Sequence, residues 1–234
     1  MTAHASFWKE RLNVPAYSVR DAARYASTTS KTIGNWQKLR GNAISVIASR
    51  EPRVALSYMQ LIEVGVVAAM REAGVKLNTI RDARNYLASK FGSQFPFAEY
   101  RFKTSGKNLI VDSEALDPKD KDKLVVVSES GQYAFREILQ RLLREFEYSA
   151  EDKGTVIQWK VAGADEPIVI DPRVAFGSPN VKGIATWVLK ERYENGDSVA
   201  DIADDFDLSK EMVLSGLKFE RTNIDLDRPS RWLH

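Results

Sequence analysis

The stretch YSVRDAARYASTTSKTIGNWQKLR, residues 17–40, decides how this chain is read. Ser18 stands where a helix cap belongs, ahead of Val19, Ala22, Ala23 and Tyr25. Ser27, Thr28 and Thr29 form a polar turn, and Thr29 or Ser30 can cap the next helix. Short hydroxyl side chains are suited to this because they accept hydrogen bonds from the unpaired N–H groups of a first helical turn. In the second helix Ile33 and Trp36 fall inward, and Ala22 and Ala23 are small enough for a partner helix to approach closely. The spacing predicts two short helices joined by a tight turn, a helix-turn-helix.

The outward face of that second helix carries Ser30, Lys31, Thr32, Asn35 and Lys38. Side chains of these types reach base edges and phosphates when a helix lies in a major groove. Arg20, Arg24 and Arg40 flank them as phosphate contacts, which position a protein on duplex DNA rather than specify sequence. An ordinary helical hairpin with a solvated basic face fits the same pattern.

Charge distribution favours the nucleic-acid reading of this end. The 234 residues carry a net charge of only +2. Residues 1–53 nevertheless hold nine Lys/Arg against three Asp/Glu, and residues 54–110 hold eight against four. Residues 194–211 hold seven acidic groups and a single lysine, Lys210. Neutralising phosphates releases counterions and steers association, so the basic end suits a polyanion and the acidic segment does not.

Composition narrows the chemistry. There is no cysteine, and the two histidines are His4 and His234. Thiol nucleophiles, disulfides and thiolate metal sites are excluded, and no metal site or cofactor is expected. A nuclease could still use Asp112, Glu114 and Asp117, but these carboxylates lie in a Pro- and Lys-rich loop without a rigid frame, so no enzymatic activity is expected. No run reaches the roughly 18 apolar residues of a membrane span, and the first residues lack the apolar core and cleavage site of a secretory leader. A cytoplasmic protein without membrane contact is the expectation.

Further along, residues 54–73 show the strongest helical pattern, with Leu61, Val64, Ala68 and Met70 on one side and Gly74 as a stop. Residues 77–91 read as a second helix started by Asn78 or Thr79, with Arg81 and Arg84 on an exposed face able to touch phosphate. A β-rich middle follows. Residues 100–103 and 108–111 flank a turn at Ser105-Gly106, residues 117–123 form a charged loop, and 124–127 and 156–161 read as strands. Residues 133–146 read as an amphipathic helix through Ile138, Leu142 and Phe146.

The fold class expected is mainly α with a small β-rich middle. Its parts are an N-terminal winged helix-turn-helix region with bracing helices and a hairpin (1–150), a small helical domain resembling a second helix-turn-helix (151–220), and an extended tail (221–234). The boundary is placed in the polar, Gly-containing stretch 151–165. In the C-terminal unit Asp197 or Ser198 caps a helix over 199–205, Asp207, Leu208 and Ser209 make the turn, and a helix follows over 210–220. The acidic groups around it point to dimerisation or protein docking.

The residues at Val19, Ala22, Ala23, Thr32, Ile33 and Trp36 resemble the reading head of regulators of the mercury-resistance type. Residues 56–63 and 70–81 resemble the helix pair that follows in those proteins. The resemblance implies a winged unit, for which Arg50 and Arg53 are the basic candidates and Lys103 and Lys107 an alternative. From Pro167 onward the chain is similar to a small bacterial domain of unknown function, four-three-three in that series. The similarity runs through Ile170, Asp171, Pro172, Gly177, Pro179, Gly183, Gly196, Ser198, Ile202, Phe206, Leu208, Val213 and Leu217. At residues 184–187, IATW, this chain lacks the basic residue usual there.

Together the two resemblances look like an antitoxin of the VapB type. They imply a homodimeric, double-stranded-DNA-binding repressor of its own operon that neutralises a PIN-domain ribonuclease toxin. Arg228, Arg231 and Trp232 of the tail are then the candidates to enter the toxin's acidic site, with a guanidinium pairing to carboxylates. A merely disordered tail fits the sequence equally. The competing reading is a stand-alone transcriptional regulator whose β-rich middle, 100–161, holds a small ligand.

Overall fold

The computed structural model describes residues 4–38, 45–51, 53–105, 108–111, 126–129, 140–151, 154–225 and 228–229. The chain divides into two compact units, Met1–Ile157 and Gln158–His234. Helices dominate, accompanied by small antiparallel sheets.

Unit 1 begins with α1 (His4–Arg11), α2 (Val19–Tyr25) and α3 (Ser30–Gln37), and then passes to α4 (Tyr58–Glu72), α5 (Leu77–Phe91) and the short α6 (Pro96–Glu99). Its centre is α4. The pattern suggested one apolar stripe, yet every residue from Tyr58 to Val67 is buried. A helix that is apolar nearly all round belongs inside a core. It starts at Tyr58 rather than at residue 54 because Ser57 and Gln60 form a capping box, with Ser57 N–H donating to Gln60 Oε1 at 2.9 Å. Leu56 is held by an antiparallel bridge to Tyr17, through N–H···O contacts of 2.8 and 2.9 Å.

One ion pair sits inside this apolar helix. Glu63 is fully buried and accepts from Ala48 N–H at 2.6 Å and from Arg84 Nε at 3.3 Å. Arg84 Nη2 also donates to the Gln94 carbonyl at 2.7 Å. This corrects the expectation that Arg84 faces solvent on α5. It is 6% exposed, because a charge as deep as Glu63 needs a partner with several donors. Arg81 is half-buried and donates to Asn78 Oδ1 at 2.7 Å. The cap of α5 is Lys76, two or three residues earlier than expected, and the helix ends on Gly92 at φ 63°.

A three-stranded sheet follows in the order β1 (Phe102–Ser105), β2 (Asn108–Val111) and β3 (Val126–Glu129). The hairpin register, Phe102 to Val111 and Ser105 to Asn108, carries the first strand two residues beyond its expected end, so Ser105, expected in the turn, closes β1. The third strand lies two residues beyond its expected start. The charged loop 117–123 and the first part of the helix expected over 133–146 lie outside the described residues, while 140–145 are helical. Phe146 does not close that helix. It opens β4 (Phe146–Tyr148), which pairs with β5 (Val156–Trp159). Gly154 returns that hairpin at φ 85°, with Arg101 backbone 2.8 Å from where a Cβ would stand.

Unit 2 is a helical domain with a sheet that the sequence reading did not foresee. Its strands β6 (Ile168–Val169), β7 (Asn180–Val181) and β8 (Ile184–Ala185) form an antiparallel meander. Two-residue strands are too short for an alternation pattern to register in sequence. Helices α7 (Thr186–Glu194), α8 (Val199–Phe206) and α9 (Lys210–Phe219) enclose a core of Ile168, Val181, Leu189, Tyr193, Ile202, Val213 and Leu217. Ser198 and Ser209 cap α8 and α9, and Asp207 at φ 51° ends α8.

Burial is the largest influence on Glu63. It pushes the carboxyl from 4.5 up to about 7, against the downward pull of Arg84 and the Ala48 N–H. A folded-state value above the unfolded one stabilises the fold fully below about 4.5 and loses that contribution as pH rises through about 7. The expected outcome is that the melting-temperature advantage of wild type over Glu63→Gln shrinks as pH is raised across that window. A difference that is constant or grows, followed by thermal denaturation, would contradict it.

Candidate nucleic-acid interface

The helices α2 and α3 are set by their caps. Ser18 Oγ accepts from Asp21 N–H at 3.1 Å, and Thr29 Oγ1 accepts from Thr32 N–H at 3.1 Å. Ala22, Ala23, Ile33 and Trp36 are buried between the helices and the rest of unit 1. The far end of α3 is tied down by Val46 N–H donating to the Trp36 carbonyl at 2.8 Å. Gln37 and Gln60 both donate to the Ala48 carbonyl, each at 3.4 Å.

On this frame Lys31 and Asn35 are exposed four positions apart on one side of α3, and Lys38, the C-cap residue in extended backbone, is exposed just beyond its end. Ser30 and Arg20 are exposed as well. Thr32 is half-buried, and its hydroxyl lies 2.9 Å from Thr29 Oγ1, so it serves the cap. Arg24 is half-buried with its guanidinium 5.0 Å from the Tyr25 ring centroid. Arg40 lies outside the described residues.

The basic wing candidates separate. Arg50 is a brace, donating to Gln37 Oε1 at 3.1 Å and to the Val54 carbonyl at 2.6 Å. Arg53 is exposed and stands at φ 67°, a left-handed backbone that a non-glycine residue seldom adopts. Lys107 and the Lys103 side chain lie outside what is described.

Sequence reasoning did not foresee a cleft of about 760 Å³ beside α3. Ser27, Thr28, Asn35, Arg71, Asn78 and Arg81 contribute to its walls. Arg71 donates to the Val75 carbonyl at 2.6 Å and so closes the turn between α4 and α5. Of its lining residues, the sequence pointed to Asn35 and Arg81 as outward-facing and gave no sign of Arg71.

In unit 2 the acidic segment is more structural than its charge count implies. Arg192 Nε pairs with Asp197, and Arg192 Nη2 lies 2.5 Å from Asp205 Oδ2. Hydrogen bonds to Asp205 and then Asp197 push the guanidinium pKa still higher. Asp201 is consumed by the capping box with Ser198. Asp204 and Asp207 stay exposed.

The start of the tail is anchored. Tyr193 Oη donates to the Asp225 carbonyl at 3.1 Å and accepts from Asp225 N–H at 2.7 Å. Arg228 lies over the Tyr193 ring, 3.8 Å from its centroid, and donates to the Tyr193 carbonyl and, at 3.5 Å, to the Asp197 carbonyl. Arg231 and Trp232 lie outside the described residues.

With that geometry in hand, comparisons with known proteins carry weight. A family model described as a protein of unknown function (DUF433) matches residues 168–219. That span holds the meander, α7, α8 and α9. A protein of Mycobacterium tuberculosis that bears the provisional name antitoxin VapB45 is 27% identical over 227 residues, 88% of this chain and 94% of its own length. The crystal structure of Rv2018 from Mycobacterium tuberculosis shares the fold, with a TM-score of 0.65 at 23% identity over 88% of this chain and 99% of that one.

The matched segment explains several of its own residues. Gly177, Gly183 and Gly196 all stand at positive φ, between 78° and 106°, where glycine is the favoured residue. Ile202, Val213 and Leu217 are core. Ala185, within the departing residues 184–187, is buried.

Tyr193→Phe keeps the ring and removes both hydrogen bonds to Asp225. The expected outcome is a loss of about 1 kcal/mol in stability and faster amide exchange at Asp225. Unchanged exchange there would show that the tail is held by other contacts.

Proposed function

We propose that this protein is the DNA-binding antitoxin of a type II toxin–antitoxin pair. In this reading it is a cytoplasmic homodimer that represses its own operon, neutralises a cognate PIN-domain ribonuclease and acts by binding rather than catalysis. The observation that carries the reading is the likeness to the protein named antitoxin VapB45, which spans 88% of this chain and hence both units.

DNA binding is assigned to the α2–α3 pair as a helix-turn-helix. Lys31 and Asn35 share one exposed side of α3, Lys38 is exposed at its C-cap, and Ser30, Arg20 and Arg53 are exposed in the same unit. Exposed Lys and Asn at helical spacing supply phosphate contacts together with a donor–acceptor pair for a base edge. Thr32 and Arg24 support this surface from behind, and Arg40 extends it in sequence. Palindromic half-sites would match a two-fold protein.

Toxin binding is assigned to the tail, and the anchoring of Arg228 sharpens which residues do it. Its guanidinium is already engaged with Tyr193, so Arg231 and Trp232 are the residues left to reach the toxin's carboxylates. Among the described residues no helix is long and apolar enough to cross a membrane.

A second reading, a stand-alone regulator responsive to a small ligand, gains from the cleft beside α3. Asn35 lines it, so a ligand there would bear directly on the proposed DNA-reading side. Among the described residues, those of 100–161 do not line it.

Replacing Lys31, Asn35 and Lys38 together by Ala should weaken binding to the duplex upstream of the gene by about a hundredfold or more. Thermal stability should be unaffected, because all three side chains are exposed. Binding retained at physiological salt, measured by fluorescence anisotropy, would refute the DNA assignment. Replacing Arg231 and Trp232 by Ala should leave that binding intact and abolish protection against the neighbouring gene's product in co-expression. Protection that survives would remove the tail from the toxin interface.

A further inference from the structure

The exposed large apolar side chains among the described residues are Val14, Tyr86, Val174, Phe176 and Trp187. The last three cluster in one part of unit 2. Val174 Cγ1 lies against the β7–β8 turn, 3.7 Å from where a Cβ on Gly183 would stand. Thr186 N–H donates to the Pro179 carbonyl at 2.8 Å, so Trp187 leaves from the end of the loop that carries Phe176. Phe176 is 80% exposed and Trp187 54%.

The loop is built to hold that ring outward. Ala175, Phe176 and Gly177 stand at φ 47°, 55° and 78°, a left-handed run in which only the glycine is at ease. Val174 N–H donates to the Asp171 carbonyl at 2.9 Å, Gly177 N–H to Val174 at 2.9 Å, and Ser178 N–H to Ala175 at 3.0 Å. Asp171 is buried and pairs with Arg173 at 2.6 Å. Strain of this kind persists where surrounding contacts over-determine it, and it concentrates at binding surfaces and switches.

Charged residues are exposed on the same elements as the apolar group, Arg173 beside Val174 among them. Lys182 is exposed at the β7–β8 turn, and Glu191 is exposed one helical turn beyond Trp187 on α7. A two-fold interface must match itself, each residue meeting its counterpart across the axis. An apolar middle with a cation on one flank and an anion on the other satisfies that condition, whereas one sign on both flanks would repel its copy.

We infer that two copies of this chain associate through this surface of unit 2. Phe176 and Trp187 form the apolar centre, and Lys182 of each copy meets Glu191 of the other. Aromatic residues at a dry centre with charges at the rim are the usual make-up of such contacts. The inference rests on the dimeric reading above, to which it gives a location, and it is independent of what the dimer binds.

Sedimentation equilibrium of the full chain tests it. Wild type should sediment at twice its 26.4 kDa chain mass. Trp187→Ala with Phe176→Ser should raise the dissociation constant by roughly thirtyfold or more while the circular-dichroism melt is retained. Lys182→Glu should also weaken association, and adding Glu191→Lys should restore it. A wild type that stays monomeric would overturn both the inference and the dimeric reading. A dimer that survives the aromatic substitutions, or a charge swap that fails to restore association, would overturn the location alone. Loss of toxin co-purification with the dimer intact would give this surface to the toxin instead and overturn the inference.

Discussion

A single buried carboxylate fixes where α3 sits. Glu63 lies in the interior of α4 and takes the N–H of Ala48, and Ala48 belongs to the irregular stretch 45–51 between α3 and α4. That stretch in turn holds the last turn of α3 through Val46 and Trp36. Arg84 balances the charge from α5 and reaches the backbone at Gln94. Buried ion pairs seldom add net stability over apolar packing, but breaking one is severe because the survivor is left uncompensated. What the Glu63–Arg84 pair supplies is geometry. It allows one arrangement of α3, α4 and α5, and so fixes both the exposed side of α3 and the cleft beside it.

Unit 2 shows how a charge count misleads when the geometry is unknown. The acidic run around α8 looks in sequence like a surface that would repel any polyanion. In the fold Arg192 is shared by Asp197 and Asp205, and Asp201 is spent on a cap. Glu194, Asp204, Asp205, Asp207 and Glu211 stay exposed, so the segment keeps an acidic surface while two of its carboxylates serve the fold. Its apolar residues around Trp187 then become the more informative surface.

Legibility followed the strength of local signals. The ends of α2, α3, α8 and α9 could be read from sequence because Ser18, Thr29, Ser198 and Ser209 mark helix starts through side-chain hydrogen bonds that are local in sequence. Arg84 was misplaced because its partner lies 21 residues away on another helix, a tertiary fact that helical spacing cannot express. Leu56 was placed inside a helix because its bridge to Tyr17 is likewise non-local. The meander of unit 2 was missed because its strands are two residues long. Of the proposed DNA-reading residues, Lys31 and Asn35 followed from helical spacing and Arg53 from the resemblance, while Thr32 and Arg24 needed the structure to show their own local partners.

The anchored start of the tail bears on where unit 2 ends as a folding entity. The last helix closes at Phe219, and a boundary drawn there looks natural. Yet one hydroxyl, that of Tyr193, both gives and receives a hydrogen bond at Asp225, and the Arg228 guanidinium covers the same ring. Residues 222–225 and Arg228 thus belong to the domain's own packing, and a version cut after α9 would expose an aromatic face and two backbone carbonyls that the intact chain covers. A partner that drew Arg228 away would first have to uncover the Tyr193 ring.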